Sequence, residues 1–325
     1  MNPRTVTAAS LATVVAAILP ARAADTQLLN LVMPDAVVVA GANVTQAEMS
    51  QFGQFVLQQI QANDTGLQKL IAASGFNPTQ DVTETLAASN GTANTGLLLA
   101  LGTFDPAKIA AAATAHNGVL ETYGTFTIIE GPDKHFGLAF PSSSTIPSGS
   151  IAVAGDVADV KAALDRVSAP SILPTALTMQ ISQWSGSQDA WAISTVPLST
   201  FHQSAVKREP EGKPTPATIP GLNGQGVFQA IQSAAGGVKL GTNDVITAQA
   251  QADNAQDAQS MADALKLLAS LAQLQASNNP ALAALAQSLQ ASASGTTLNV
   301  TLSIPETTLE QLIHSSSTAA HKPVR

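Results

Sequence analysis

The feature that most constrains the fold of this chain is a recurrence of strand and helix-start signals about 150 residues apart. Three positions in the first part of the chain mark the start or end of a strand-like run, and each has a similar position about 150 residues later. The matched positions are Asp35 with Asp189, Phe104 with Asp253, and Asp156 with Pro305. Three similar spacings indicate two related halves, although chance matches are an alternative because strands and helices alternate in any α+β chain.

We therefore predict an α+β fold with two similar halves, each a mainly antiparallel sheet with helices packed on one face. The first half is residues 24–168 and the second is residues 175–314, a diverged repeat. Residues 315–325 form a polar tail. We expect the second half to lack a counterpart of a strand from His135 to Phe140, because the segment from Gly295 to Ile304 is too short to hold one.

Several local signals place the elements. Asp105 followed by Pro106 is typical of a helix start, and Asp156 is a second cap residue. The runs at 126–129 and 135–140, separated by a Gly-Pro-Asp turn, predict a hairpin. Residues 141–149 and the proline-rich stretch 206–226 read as loops.

Composition excludes several classes of protein. Only 11% of the residues are charged, against about 25% in a typical globular protein. The formal net charge of −8 and the lack of a basic run argue against nucleic-acid binding. The chain has no cysteine, which excludes disulfides, a thiol nucleophile and cysteine-ligated metal.

The N-terminal segment, residues 1–23, is typical of a secretory signal peptide. Arg4 supplies the positive charge, residues 6–19 are mainly apolar, and Ala21 and Ala23 fit the positions before a cleavage site. The alternative is an uncleaved anchor, but the apolar run is short of the ~20 residues that span a bilayer. We expect an exported protein, soluble after processing and periplasmic or extracellular, with no later membrane span.

Parts of the first half resemble a group of uncharacterised exported bacterial proteins. The resemblance rests on the runs at 33–36, 40–44, 52–57, 102–105 and 154–163. These runs are strand ends and helix caps. The group has no known activity, so the resemblance implies no site residues.

The sequence lacks the common catalytic and metal-binding patterns, so we predict no catalytic, cofactor-binding or metal site. No two histidines stand four residues apart, and no Gly-x-Ser-x-Gly motif occurs. Ser148 and Ser150 lie in a loop before a strand, which is the wrong context for a nucleophile elbow. We also expect no cofactor.

One local group of titratable residues stands out, namely Glu130, Asp133, Lys134 and His135. A carboxylate beside a histidine could orient it for proton transfer, although a polar hairpin turn explains the same residues more simply. His116 reads as a stabilising residue at a helix C-terminus.

The remaining candidates are weaker. His202 has no carboxylate near it in sequence, and His314 and His321 lie in or near the polar tail. The glycines of residues 221–226 could form an anion-binding turn, but a flexible turn is the simpler interpretation.

The leading functional hypothesis is a non-enzymatic exported protein that binds or scaffolds in the cell envelope. The alternatives are a carrier or chaperone for an apolar ligand, and an enzyme with a convergent Ser, Asp and His site. The partner is thus an unknown protein or an apolar ligand. A pocket lined by Leu, Phe and Val would favour the carrier, and a His–carboxylate pair beside a cleft would favour the enzyme.

We predict that the exported protein begins at Ala24, because Ala21 and Ala23 are the small residues that the signal peptidase needs. Intact-mass measurement on protein recovered from outside the cytoplasm checks this. A species that retains Met1 would contradict the export of the chain.

Overall fold

The computed structural model describes residues 24–63, 65–92, 95–197, 200, 230–275, 280–306 and 308. Its helices are α1 (Thr26–Leu29), α2 (Val44–Met49), α3 (Gln51–Asn63), α4 (Thr65–Ser74), α5 (Pro78–Asp81), α6 (Pro106–Ala115), α7 (Val157–Asp165), α8 (Thr175–Ser187), α9 (Ala255–Gln275) and α10 (Pro280–Ser288). The described helices do not include one that is both long enough and apolar enough to cross a membrane.

The strands form a single sheet in which every pairing is antiparallel. They are β1 (Val38–Asn43), β2 (Val82–Ser89), β3 (Leu97–Gly102), β4 (Val119–Tyr123), β5 (Phe126–Glu130), β6 (Phe136–Ala139), β7 (Ile151–Asp156), β8 (Ala190–Ser194), β9 (Ile231–Lys239), β10 (Asn243–Ala252), β11 (Gln290–Ser294) and β12 (Thr297–Pro305). The order across the sheet is β11-β12-β10-β9-β8-β1-β2-β3-β7-β6-β5-β4. The predicted α+β class with an antiparallel sheet is confirmed.

Strands from the two parts of the chain meet at the centre of the sheet, where β1 pairs with β8. Outward from β1 the order is β2, β3, β7, β6, and outward from β8 it is β9, β10, β12, β11. A helix follows the third strand on both sides, since α6 follows β3 and α9 follows β10. The division into residues 24–168 and 175–314 stays a prediction.

The expectation about the missing strand is wrong. Strand β11 lies beside β12, as β6 lies beside β7, so the hairpin strand near His135 does have a counterpart in position. The expectation failed because β11 lies before Gly295, outside the segment from Gly295 to Ile304 on which it rested. The strands without a counterpart among the described residues are β4 and β5.

The larger hydrophobic core lies on one face of the sheet, which we call face A and define by Val39 and Ile193. Partner residues of an antiparallel pair point to the same face, so the register places Leu86 and Leu99 there as well. Helices α1, α7 and α8 pack on this face and bury side chains that include Trp184. This core crosses the irregular segment at 168–174, because α8 and β8 contribute to it.

A smaller core lies on the opposite face, which we call face B and define by Ala40 and Ala192. Helix α9 packs there against β10, β11 and β12. Its Met261 and Ala262 bury against Ala250 and Leu298, which the register places on face B. The two cores therefore stabilise opposite faces of one sheet.

The predicted helix starts and the hairpin are confirmed. The Asp105 carboxylate accepts from the backbone N–H of Lys108 at 3.1 Å, and Asp156 accepts from that of Ala158 at 3.0 Å. Each satisfies a backbone donor that the first turn of a helix leaves unpaired. Strands β5 and β6 form the hairpin, and residues 141–149 contain no helix or strand. The predicted loop at 206–226 lies outside the described residues.

Gly41 and Trp191 are paired on β1 and β8, and the indole lies over the glycine. A Cβ atom at Gly41 would lie 2.6 Å from Cζ2 of Trp191, which is closer than packed atoms tolerate. We predict that Gly41→Ala destabilises the protein by about 1–3 kcal/mol, because the buried indole must shift. Thermal or urea unfolding measures the change.

The matched control is Gly186→Ala. An added Cβ at this position in α8 would meet nothing within 4 Å, so alanine should stabilise the helix by about 0.5–1 kcal/mol. Equal effects of the two substitutions would show that the Gly41–Trp191 contact does not limit packing between β1 and β8.

Candidate functional site

The most extended feature of the molecule is a row of apolar residues that crosses face B. It takes one residue from each of the twelve strands, and each residue is the direct partner of the next. We call this set the apolar row: Ala291, Val300, Ala248, Gly236, Ala192, Ala40, Ala87, Leu98, Ala154, Leu138, Ile129 and Leu120. The row has no polar side chain, which is unusual for a sheet face that helices do not cover throughout.

The central part of the apolar row is open and made of small residues. Ala192 and Ala87 are exposed, and the next residue, Leu98, keeps 51% of its surface accessible. Helix α9 covers the strands at one end of the row, and Ile129 near the other end is buried. Ala40, between Ala192 and Ala87, is half-buried, so solvent reaches the apolar centre at Ala192, Ala87 and Leu98.

The neighbouring positions on face B extend this apolar surface. Two residues along the strands, a second line of direct partners runs through Leu302, Ile246, Val238, Ala190 and Ala42. Phe136, two residues from Leu138 on β6, is 53% exposed on the same face. The surface is wider than the apolar row alone.

A groove of about 360 Å³ lies between α3 and α4. Its lining residues are Gln58, Gln61, Ala62, Gln68 and Ile71. Since three of the five are amides, this groove does not match the Leu, Phe and Val pocket that the carrier hypothesis requires. Face B has the apolar residues that the carrier hypothesis requires, but it presents them on a surface and not in a pocket.

A cluster of titratable groups lies on face A, where β4 and β5 meet α7. The Lys161 ammonium of α7 is 2.8 Å from Oε1 of Glu121 on β4. This hydrogen-bonded cation lowers the pKa of Glu121, and the Glu121 carboxylate in turn raises the pKa of Lys161. The ion pair thus ties strand β4 to the helix.

Glu130 on β5 completes a pair of carboxyl groups with Glu121. It is only 7% exposed, and its hydrogen bond to the Glu121 carboxyl raises the pKa of Glu130, with burial as the next cause. Two adjacent carboxyls favour sharing one proton, because both cannot ionise without repulsion. The two carboxyls are chemically capable of exchanging a proton. The neighbouring cation, the Lys161 ammonium, is already hydrogen-bonded to Glu121.

Tyr123 on β4 adds a second link to α7. Its hydroxyl lies 3.1 Å from both carboxylate oxygens of Asp165, and this hydrogen bond raises the pKa of Tyr123. The Lys161 ammonium also lies 5.6 Å from the centre of the Tyr123 ring, a cation–π contact. Together with the Lys161–Glu121 ion pair, these contacts hold two alternate side chains of β4, Glu121 and Tyr123, against α7.

The structure separates the four titratable residues that stand together in sequence. Glu130 points into face A, whereas residues 132–135 are an exposed turn. The Asp133 carboxylate accepts from the backbone N–H of His135, and Lys134 has a φ of 58°. This fits the hairpin-turn interpretation. Glu121 and Lys161 give no signal in the sequence, because only strand register and helix packing bring them to Glu130.

Among the other candidates, His116 and Ser150 lie in the described part of the chain, and both make local hydrogen bonds. His116 follows α6, is exposed, and donates its backbone N–H to Ala113 O at 3.0 Å. Ser150 donates its hydroxyl to Pro147 O at 2.8 Å, within a turn. His202, residues 221–226, His314 and His321 lie outside the described residues. Within the described part of the chain, no group of three or more His, Asp or Glu side chains is placed to hold a metal ion.

Comparison with known proteins yields a likeness of fold. No protein-family model matches the chain, and no curated protein matches it in sequence. The solved structures that it resembles include crystal forms III and I of TP0453, a Treponema protein. Form III matches with a TM-score of 0.56 and 12% identity, over 88% of this chain and 97% of that chain. Form I matches with a TM-score of 0.53 and 14% identity, over 90% and 98%.

At these identities the likeness shows the fold alone. It is consistent with the resemblance of the sequence to uncharacterised bacterial proteins. It carries no residue of a functional site onto this chain.

We predict that Lys161→Met destabilises the protein more at pH 7 than at pH 3. The lowered pKa of Glu121 contributes stability that is present above the ordinary value of 4.5 and is lost as the pH falls through the folded-state value. Without Lys161 this contribution disappears, and two carboxyls face each other at neutral pH. Urea unfolding at the two pH values measures the difference.

Lys108→Met is the control, because Lys108 pairs with Asp105 at 3.3 Å on an exposed helix surface. Such a pair should change stability little at either pH. An equal loss for Lys161→Met at pH 3 and pH 7 would mean that Lys161 acts by packing alone.

Proposed function

We propose that this protein is an exported, non-enzymatic binding protein of the cell envelope and that its ligand is apolar. The observation that carries the proposal is the apolar row across face B, whose centre is exposed at Ala192 and Ala87. An antiparallel sheet with one covered face usually presents polar side chains on the other. Here Ala192, Ala87 and Leu98 on face B are exposed although they are apolar, and an exposed apolar surface of this kind is typical of a binding site.

The chemistry of the exposed centre defines the ligand class. The residues at Ala248, Gly236, Ala192, Ala40 and Ala87 have at most a methyl group as side chain, so a ligand can approach the backbone closely. No charged residue lies in the apolar row, and the charged cluster around Lys161 lies on face A. A ligand on face B therefore gains from apolar burial, about 25 cal/mol per Å², and has no ionic anchor within the row.

Export is part of the proposal and rests on the leader-like residues 1–23. A protein outside the cytoplasm meets lipids, hydrophobic peptides and unfolded proteins, all of which offer apolar surface. The carrier hypothesis and the binding hypothesis therefore both use face B as the ligand surface. The enzyme hypothesis has weaker support, because the paired carboxyls at Glu121 and Glu130 face α7 and lie on the opposite face of the sheet.

Titration with N-phenyl-1-naphthylamine tests the proposal, since the fluorescence of this neutral probe rises in apolar surroundings. We expect saturable binding to the wild-type protein. Ala192→Glu should weaken binding about tenfold or more, equivalent to about 1.4 kcal/mol, because a carboxylate would then occupy the centre of the apolar row.

The matched control is Ala111→Glu, the same change at an exposed position on α6. It should bind the probe as the wild type does. Thermal unfolding confirms that both variants fold. If the wild type shows no saturable binding, or if Ala192→Glu binds normally, face B is not the ligand surface.

A further inference from the structure

The two edge strands of the sheet, β11 and β4, have different surroundings. At one edge, β11 is packed against α9, and its Ala291 and Ala293 contribute to the smaller core. At the other edge, β4 pairs with β5 and with no other strand among the described residues. Leu120 keeps 47% of its surface exposed and Val119 keeps 39%. Solvent therefore reaches the β4 edge at Val119 and Leu120, although α6 contacts this strand.

The backbone register shows which groups of β4 face outward. Strands β4 and β5 are joined by a two-residue loop, whose closing pair is Tyr123 and Phe126. The N–H of Gly131 donates toward β6, so the even-numbered residues of β5 face β4. Residues 119, 121 and 123 consequently bond to β5, and the N–H and C=O groups of Leu120 and Thr122 point away from the sheet.

The β4 edge lacks three of the features that usually prevent strands from pairing. It contains no lysine, no proline and no bulge. Its one charged residue, Glu121, is held on face A by Lys161. The outward backbone groups are thus left for another extended strand.

We propose that a second copy of this chain pairs with β4 in antiparallel fashion, strand β4 to strand β4, across a twofold axis. An antiparallel pair of identical strands is self-complementary, because each copy offers the same donors and acceptors. The paired sheets then run continuously from one copy into the other. The β4 edge lies at one end of the apolar row, and its backbone pairing does not depend on a ligand at the centre of that row.

Side-chain chemistry selects the register. With Leu120 opposite Leu120 of the second copy, the apolar row continues across the axis, and Glu121 lies opposite Val119. With Glu121 opposite Glu121, two like charges would face each other directly, which destabilises a strand pair. The first register is therefore the one that the sequence of β4 favours.

Sedimentation or light scattering on the mature chain across a dilution series tests the proposal. We expect a mass twice that of the monomer at the higher concentrations. Leu120→Lys should give a monomer, because it places a charge at the axis. Leu98→Lys is the matched control, since Leu98 lies in the same apolar row with 51% exposure but on β3, an interior strand, and it should remain a dimer.

Cysteine cross-linking tests the register, because the natural chain has no cysteine. Leu120→Cys should form an intermolecular disulfide under mild oxidation. Thr122→Cys should not, because the two positions would lie about 14 Å apart along the strands, beyond the ~7 Å that a disulfide spans.

Two results would overturn the proposal. One is a wild-type chain that stays monomeric throughout the series. The other is a dimer that Leu98→Lys abolishes and Leu120→Lys preserves, which would place the contact on face B.

Discussion

The pairing of β1 with β8 is the interaction on which the rest of the structure depends. It joins strands from the two parts of the chain into one sheet, and the larger core is built over it. The contact requires a glycine, because the indole of Trp191 occupies the space where a side chain of Gly41 would be. At the end of β8, the buried Asp189 carboxylate accepts from the Lys239 ammonium at 2.6 Å and the backbone N–H of Leu240 at 2.8 Å.

A sheet joined in this way has two faces to stabilise. Helices α1, α7 and α8 cover face A, whereas α9 covers face B near β10 and β12. The central strands are therefore buried on face A, and on face B solvent reaches them at Ala192 and Ala87. Because side chains alternate along a strand, the alanines at the centre of face B are fixed in place by the same register that buries Val39 and Ile193. The exposed apolar surface follows from the register of the sheet.

The titratable groups illustrate how sequence proximity differs from proximity in the fold. Glu130 and His135 are five positions apart and suggest an acid–base pair, yet Glu130 interacts with Glu121 from the next strand. Lys161 reaches the pair from α7, some thirty residues further along the chain than Glu130. The contacts of Lys161 and Asp165 also hold the inward side chains of β4, which leaves only its backbone and its other face for intermolecular contact.

The local features of this protein can be read from its residues without the fold. Asp105 with Pro106, Asp156 and the hairpin turn after β5 are set by contacts within a few residues, so their signals are readable without the fold. The α+β class followed from the alternation of such signals. Three features become visible only in the folded chain: both sets of strands share one sheet, β11 lies at an edge, and the apolar row is continuous. The physical reason is that strand pairing and register depend on hydrogen bonds between distant residues, which the order of residues along the chain does not contain.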